Sequence, residues 1–170
     1  MVPAPSDRPW VPDEQKITST TGGTRRRRPV HLLAGIVIVL VAGGGCESTP
    51  IERSEVIARV NQSRSEQGLR PLRENILLDQ KADGWAQHLR DVCDLSHSTL
   101  SDGAPSTWLK LGENVGYGGT IAAIHEAYLN SPGHRANIMD PTFTEIGSAA
   151  VWGDCEGQHR VFTVQEFMHG

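Results

Sequence analysis

The amino-acid sequence predicts an α+β domain, because helical patterns come first in its second part and strand patterns come last. Apolar residues recur at helical spacing in three stretches within residues 51–129. Two later runs, residues 145–152 and 159–168, alternate in the way that strands do. Residues 153–157 between them carry turn signals, so the two runs predict an antiparallel hairpin.

The chain of 170 residues divides into a basic tail and an acidic domain. Of its 16 basic and 20 acidic side chains, six basic and three acidic ones precede residue 47, which leaves 10 basic and 17 acidic ones in the domain. The length and a hydrophobic content of 38% suit one domain plus a tail. An acidic domain without a basic face is poorly suited to a polyanion, which argues against nucleic acid as a partner.

Residues 1–28 are basic and rich in Pro, Ser, Thr and Gly, and their lack of a hydrophobic period predicts disorder. The arginines at 25–28 precede a mostly apolar run, residues 30–42. Such a pairing is typical of a signal peptide or a membrane anchor, here within residues 29–46. The arginines are expected to stay cytoplasmic, so that this segment meets the membrane and everything after Cys46 lies outside.

Cys46 follows small residues, as the acylated cysteine of a bacterial lipoprotein does. Gly43 stands three positions upstream, where such signals usually carry an aliphatic residue. Lipidation of Cys46, cleavage without a lipid and an uncleaved anchor are the three alternatives. The four consecutive arginines also allow export by the twin-arginine route.

Two cysteines, Cys93 and Cys155, stand in the part that is expected to be exported. An even pair in an oxidising compartment favours a disulfide, with two unpaired thiols as the alternative. The bridge would tie the segment before His97 to the late hairpin, and chain entropy gives it a stabilising effect of about 4 kcal/mol at most.

Residues 47–54 are predicted to be a linker, and the domain proper is assigned to residues 55–168. The helical spacing of the first helix begins at about Ile51, and the helix ends before Gly68. Two polar residues, Asn61 and Arg64, interrupt its apolar face. They are predicted to satisfy buried backbone groups rather than to take part in catalysis.

A second helix is predicted over residues 77–92. Gly84 weakens it by roughly 1 kcal/mol relative to Ala, and we expect another element to pack closely there. A polar loop, a helical turn at residues 107–111 and a glycine-rich stretch at residues 112–119 follow. That stretch is not a phosphate-binding loop, because it lacks the Lys-Ser/Thr ending and has an acid, Glu113, at its centre.

A third helix is predicted over residues 120–129, with a threonine as its N-cap and His125 on its solvated face. Ser131 and Pro132 then begin a short helix, since a serine hydroxyl is a good N-cap and proline is tolerated at the first helical position. His134 therefore lies in the first turn of this short helix.

Four motifs follow one another along the domain: His97-Ser98, Gly112-Glu113-Asn114-Val115, Ser131-Pro132-Gly133-His134-Arg135-Ala136-Asn137 and Glu145-Ile146-Gly147. In this order they resemble the motifs of bacterial members of the CAP superfamily. That superfamily includes cysteine-rich secretory proteins, antigen 5 and the class 1 pathogenesis-related plant proteins. The resemblance covers roughly residues 55–167 and implies a three-layer α–β–α sandwich with a central antiparallel sheet.

The resemblance also implies a site in which His97, Glu113 and His134 line one open cavity. The two imidazoles would hold a divalent ion, commonly zinc, and would leave coordination positions free. Glu113 would orient one imidazole or, as the candidate catalytic base, accept a proton from bound water. Many relatives carry a second glutamate where this chain has Ser131, so the site is reduced to three residues.

These observations predict an exported cell-envelope protein that acts as a binding module. Its cavity would take a divalent metal ion, a small apolar molecule or a cell-wall component. The alternatives are a metal-assisted hydrolase of peptides or envelope polymers, and a structural envelope protein in which His97 and His134 only bond the loops around them. The shared fold does not decide among them.

Overall fold

The structure is a computed structural model that describes residues 48–170. The predictions made for residues 1–47, among them the signal or anchor segment and the lipidation of Cys46, lie outside the described residues. Within residues 48–170 no helix has both the length and the apolar character needed to cross a bilayer.

Four helices and four strands make up the described part, and the α+β class is confirmed. They are α1 (Pro50–Glu66), β1 (Arg73–Glu74), α2 (Ile76–Val92), β2 (Lys110–Gly118), α3 (Ile121–Asn130), α4 (Pro132–Ile138), β3 (Glu145–Cys155) and β4 (Gln158–His169).

Helix α1 begins at Pro50, one residue before the predicted start of the helical spacing at about Ile51 and inside the predicted linker. Thr49 and Glu52 form a capping box: the Glu52 amide donates to the Thr49 hydroxyl, and the Thr49 amide donates to the Glu52 carboxylate. Pro50 occupies the first helical position, where no amide donor is needed. Residues 50–54, assigned above to the linker, are therefore helical.

The strands form one sheet in the order β1-β3-β4-β2. Strands β3 and β4 are the predicted antiparallel hairpin, with Glu156 and Gly157 at positive φ in its turn. Strand β1 pairs with β3 in parallel. The prediction of a wholly antiparallel sheet is thus wrong at this edge, because the long connection from β1 to β3 does not impose the direction that a hairpin imposes.

Strand β2 was not predicted, and the helical turn expected at residues 107–111 is wrong because the strand begins inside that range. Its glycines lie where helical side chains rest directly on the sheet. A Cβ atom at Gly116 would lie 2.9 Å from the Tyr128 hydroxyl, and one at Gly118 would lie 2.9 Å from the Ile124 side chain. Because glycines replace apolar residues in β2, its sequence lacks the apolar alternation that would predict a strand.

Two apolar cores lie on opposite faces of the sheet, and helices cover both faces. One core joins α1, α3 and α4 to side chains such as Ile146 and Phe167. The other joins α2 to neighbours of those side chains, such as Ala149 and Phe162, which point the other way. The site described below depends on this division, because α2 and α4 approach β2 from opposite faces.

The predicted disulfide between Cys93 and Cys155 is confirmed. It joins the C-terminal cap of α2 to the end of β3, with Cα atoms 5.5 Å apart and a sequence separation of 62. The structural role predicted for Asn61 is also confirmed, since its side-chain amide both donates to and accepts from the Leu72 backbone. The Cys93–Cys155 disulfide fixes the chain just before residue 97.

Candidate functional site

His97 and Glu113 are in direct contact. His97 lies in the loop after α2, Glu113 lies on β2, and His97 Nδ1 is 2.6 Å from Glu113 Oε1. The Ser98 amide donates to the same oxygen at 2.9 Å. The His97 side chain is 60% exposed, whereas that of Glu113 is 1% exposed. Because the buried carboxylate holds Nδ1, the nitrogen of His97 that is free for a ligand is Nε2.

His134 lies in the first turn of α4, as predicted, although the Ser131 side chain makes no capping hydrogen bond. Its ring packs against Tyr128, with ring centroids 4.9 Å apart. Burial lowers the pKa of His134, and the nearby His97 lowers it further. Both effects favour the neutral form of this imidazole.

A hydrogen-bonded amide network on the α4 side fixes His134. Asn114 Nδ2 donates to the His134 carbonyl at 3.2 Å and to Gln165 Oε1 at 3.0 Å. Asn137 Nδ2 donates to Asn114 Oδ1 at 2.9 Å and to the Glu113 carbonyl at 3.1 Å. Gln165 is buried and accepts the hydrogen bond from Asn114 inside the sheet. The network ties α4 to β2 at the residue next to Glu113.

A charged cluster that sequence reasoning missed lies beneath His97. Lys81 Nζ is 2.7 Å from Glu166 Oε1 and 3.9 Å from Glu113 Oε2, and it also donates to the Ser98 hydroxyl. Lys81 is 5% exposed, and both glutamates are 1% exposed. Glu166 follows apolar Phe162 and Val164 on the α2 face of β4. A charged residue at this inward-facing position is the sequence feature that could have indicated the cluster.

We infer that the two glutamates share one proton, which balances the charge of this cluster. Burial raises the pKa of Glu166 to about 8, and the neighbouring Glu113 also raises it while Lys81 opposes the change. Burial alone would raise the pKa of Glu113, but hydrogen bonds from Ser98 and His97 bring it below its ordinary value. Oε2 of Glu113 and Oε2 of Glu166 have no partner as two carboxylates, and a proton between them satisfies both.

We expect the free energy of unfolding to fall as the pH rises from 6.5 to 8. Folded Glu166 keeps its proton up to about pH 8, whereas the unfolded chain releases it near 4.5, so rising pH favours unfolding by at most about 1.4 kcal/mol per pH unit. The raised pKa of Asp79, about 6, and the lowered pKa values of His125 and His134 act below this window.

The measurement is urea unfolding of wild type and Glu166→Gln at several pH values within that window. The glutamine accepts from Lys81 and donates to Glu113, as protonated Glu166 does. The free energy of unfolding of Glu166→Gln should therefore not change with pH within that window. Glu126→Gln, a change at an exposed glutamate on α3, controls for net charge and should keep the wild-type slope. Equal slopes in wild type and Glu166→Gln would show that the shared proton is absent.

His125, predicted on the solvated face of α3, is buried instead. Its Nε2 atom is 2.8 Å from the Ser63 hydroxyl, because α3 packs against α1 at this point. Burial lowers the pKa of His125. It is a structural residue of the helix interface and does not join the His97 site.

A cleft of about 370 Å³ opens beside His97, between α2 and the loop that follows it. From α2 it is lined by Lys81, Gly84 and Trp85, and from the loop by His97, Ser98 and Asp102. His134 does not line this cleft. His97 thus borders the cleft along α2.

These features define a disulfide-bonded α+β domain with helices on both faces of a mixed sheet and an exposed histidine, His97, hydrogen-bonded to the buried carboxylate of Glu113. The chain belongs to the CAP family, the cysteine-rich secretory protein family, whose sequence profile matches residues 57–167.

Comparison with known proteins gives bacterial relatives. The protein YkwD of Bacillus subtilis (strain 168) is 32% identical over 112 residues, which are 58% of this chain and 44% of that protein, so the chain spans less than half of this relative.

Solved structures share the fold. An outer surface protein of Borrelia burgdorferi aligns with a TM-score of 0.60 and 17% identity, covering 68% of this chain and 90% of that one. An extracellular protein containing a SCP domain from Bacillus anthracis str. Ames aligns with a TM-score of 0.58 and 23% identity. The alignment covers 72% of this chain and 44% of that one.

Proposed function

We propose that this protein is an exported binding domain that takes a divalent metal ion, zinc foremost, between the imidazoles of His97 and His134. The hydrogen bond between His97 Nδ1 and Glu113 Oε1 carries the proposal. It fixes the tautomer and the orientation of an exposed ring, as carboxylates do behind metal-binding histidines. A small ligand would complete the coordination.

The donor set fits an open site better than a structural one. Neutral imidazoles suit zinc, and two of them leave positions for water or a ligand. Within residues 48–170 no group of three or more His, Cys, Asp or Glu side chains is placed to hold a metal. We therefore expect affinity below that of a four-ligand structural zinc site.

The geometry gives less support to the metal-assisted hydrolase. A general base must reach the proton that it abstracts. Oε1 of Glu113 already accepts from His97 and Ser98, and its carboxylate lies on the Nδ1 side of the ring, away from an ion at Nε2. Glu113 is placed to orient His97 and not to activate water.

We place the protein outside the cytoplasm, secreted or held at the outer face of the membrane. The Cys93–Cys155 disulfide is typical of oxidising compartments, and structural neighbours include an extracellular protein and an outer surface protein. The basic and apolar residues before Cys46 would supply export, and a lipid on Cys46 or the apolar segment itself would supply the tether. A cell-wall component or a small apolar molecule is the candidate ligand.

Zinc titration of the purified full-length chain by calorimetry tests the metal proposal. We expect one saturable site, a loss of affinity of at least about tenfold in His97→Ala and in His134→Ala, and about 10-fold to 100-fold in Glu113→Gln. Affinity should also fall below about pH 6.5, because protonated imidazoles cannot bind a metal.

His159→Ala is the matched control, since His159 is an exposed histidine at the other end of β4. It should bind zinc as wild type does. If the double variant His97→Ala/His134→Ala binds zinc as tightly as wild type, the ion lies elsewhere and the proposal fails.

A further inference from the structure

The wall of the cleft along α2 has a feature that packing does not explain. Gly84 lies in the middle of the helix, where glycine costs about 1 kcal/mol relative to alanine. The close approach expected there is absent: a Cβ atom at Gly84 would meet no other atom within 4 Å, and the backbone is not at positive φ. Neither neighbours nor conformation requires this glycine.

What the glycine does provide is space inside the cleft. Gln80 and Lys81 stand four and three residues before Gly84, so all three lie on one helix face, and all three line the cleft with Trp85. A side chain at residue 84 would enter the volume that these residues enclose. The glycine thus keeps open a cleft of about 370 Å³, within the range of small-molecule sites, roughly 300–1,000 Å³.

The aromatic wall of the cleft is held in place. The Trp85 indole N–H donates to the Ser96 carbonyl at 2.9 Å. The ring stacks on His88 with centroids 4.6 Å apart, which supports one face of the indole. A ring fixed at its edge and on one face offers an ordered apolar surface to a ligand.

The remaining lining is polar but carries little net charge. The Lys81 ammonium is compensated by the Glu113–Glu166 pair, and its two hydrogen bonds, to Glu166 and Ser98, leave one N–H for a ligand oxygen. Asp102 adds a carboxylate at the loop side, and Ser98 adds a hydroxyl. The Asp102 carboxylate disfavours anions, the remaining Lys81 N–H requires an acceptor oxygen on the ligand, and the lining is too polar for a lipid.

We propose that this cleft binds a neutral saccharide of one or two rings, with a ring seated against Gly84 and Trp85 and its hydroxyls bonded to Lys81, Asp102 and His97 Nε2. A sugar ring has the required combination of an apolar C–H face and an edge of hydroxyl donors and acceptors. This ligand class goes beyond the metal proposal, because it requires no ion at the two imidazoles.

The test is titration of the full-length chain with two neutral disaccharides, cellobiose and N,N′-diacetylchitobiose, in EDTA, followed by Trp fluorescence and calorimetry. We expect saturable binding of at least one. Gly84→Ala should raise the melting temperature by a few degrees yet weaken that binding at least about tenfold. Trp85→Leu should weaken it similarly, and His159→Ala, a change at an exposed histidine outside the cleft, should leave it unchanged.

Gly133→Ala is the matched control, since Gly133 is a helical glycine outside the cleft whose Cβ would also meet nothing within 4 Å. It should keep wild-type binding. The proposal is overturned if wild type binds neither disaccharide, or if Gly84→Ala is stabilised and binds as wild type does. Because EDTA removes the metal, failure here leaves the zinc proposal intact, and loss of zinc binding alone leaves this one intact.

Discussion

Gly147→Ala is expected to abolish folding. Gly147 lies on β3 where α2 crosses the sheet, and an added Cβ would fall far inside the contact distance of the Leu78 carbonyl carbon, Leu78 Cβ and the Asp79 amide. Two of these atoms are helix backbone, which cannot turn aside as a flexible side chain can. We expect a loss of more than about 4 kcal/mol, a large share of the roughly 5–15 kcal/mol that stabilises a domain.

Circular dichroism and urea unfolding of the purified variant measure this effect. Gly133→Ala again serves as the control, because the same methyl group there meets open space, and it should be at least as stable as wild type. A cooperative Gly147→Ala protein within about 1 kcal/mol of wild type would mean that α2 does not lie this close to β3.

Arg64→Met is expected to lower the free energy of unfolding by about 3–5 kcal/mol. Arg64 is 1% exposed, and its guanidinium donates to three carbonyls: Arg70 at 2.9 Å, Ile138 at 2.8 Å and Asp140 at 2.8 Å. Methionine matches much of the volume but leaves these acceptors without donors, and each buried unpaired group costs about 1–3 kcal/mol. The end of α4 would lose its anchor to α1.

Urea unfolding at neutral pH measures the difference. Arg59→Ala is the control in the same helix, since Arg59 forms only a half-exposed pair with Glu55 four residues away, and it should change stability by less than about 0.5 kcal/mol. Arg64→Lys should recover only part of the loss, because a lysine cannot reproduce the planar fork of donors. Equal stability of Arg64→Met and Arg59→Ala would show that the hydrogen bonds of Arg64 do not stabilise the fold.

Helices and the hairpin were predictable because their signals are local. The Thr120 hydroxyl accepts from the Ala123 amide, and the spacing of Val56 and Val60 sets the buried face of α1. The turn at Glu156 and Gly157 brings β3 and β4 together without help from distant residues. Such elements can be read from a short window of sequence.

Strands β1 and β2 were not predictable because their evidence is not local. β1 has only two residues, and it is a strand only because Ile146 and its neighbour pair with it. The glycines of β2 can be explained only when it is known that Tyr128 and residues of α4 pack directly against them. A glycine-rich stretch offers the sequence reader no apolar alternation, although its alternate positions share a face.

The site divides in the same way. The resemblance to the CAP superfamily, rather than any spacing, suggested that His97 and Glu113 meet, and they are 16 residues apart. The contact between Lys81 and Glu166 spans 85 residues and had no motif to suggest it. Charged residues at inward positions of buried elements are the pattern that would have marked this cluster, since such groups require partners.

In the proposed metal site, Glu113 turns His97 so that its Nε2 atom and the His134 ring can share one ion. A crystal structure of the full-length chain soaked in zinc, with anomalous diffraction data at the zinc edge, tests it most directly. We predict one peak about 2.0–2.1 Å from His97 Nε2 and from a ring nitrogen of His134, with Glu113 still on Nδ1. A peak at His97 Nδ1, or an ion bound by neither ring, would contradict the account.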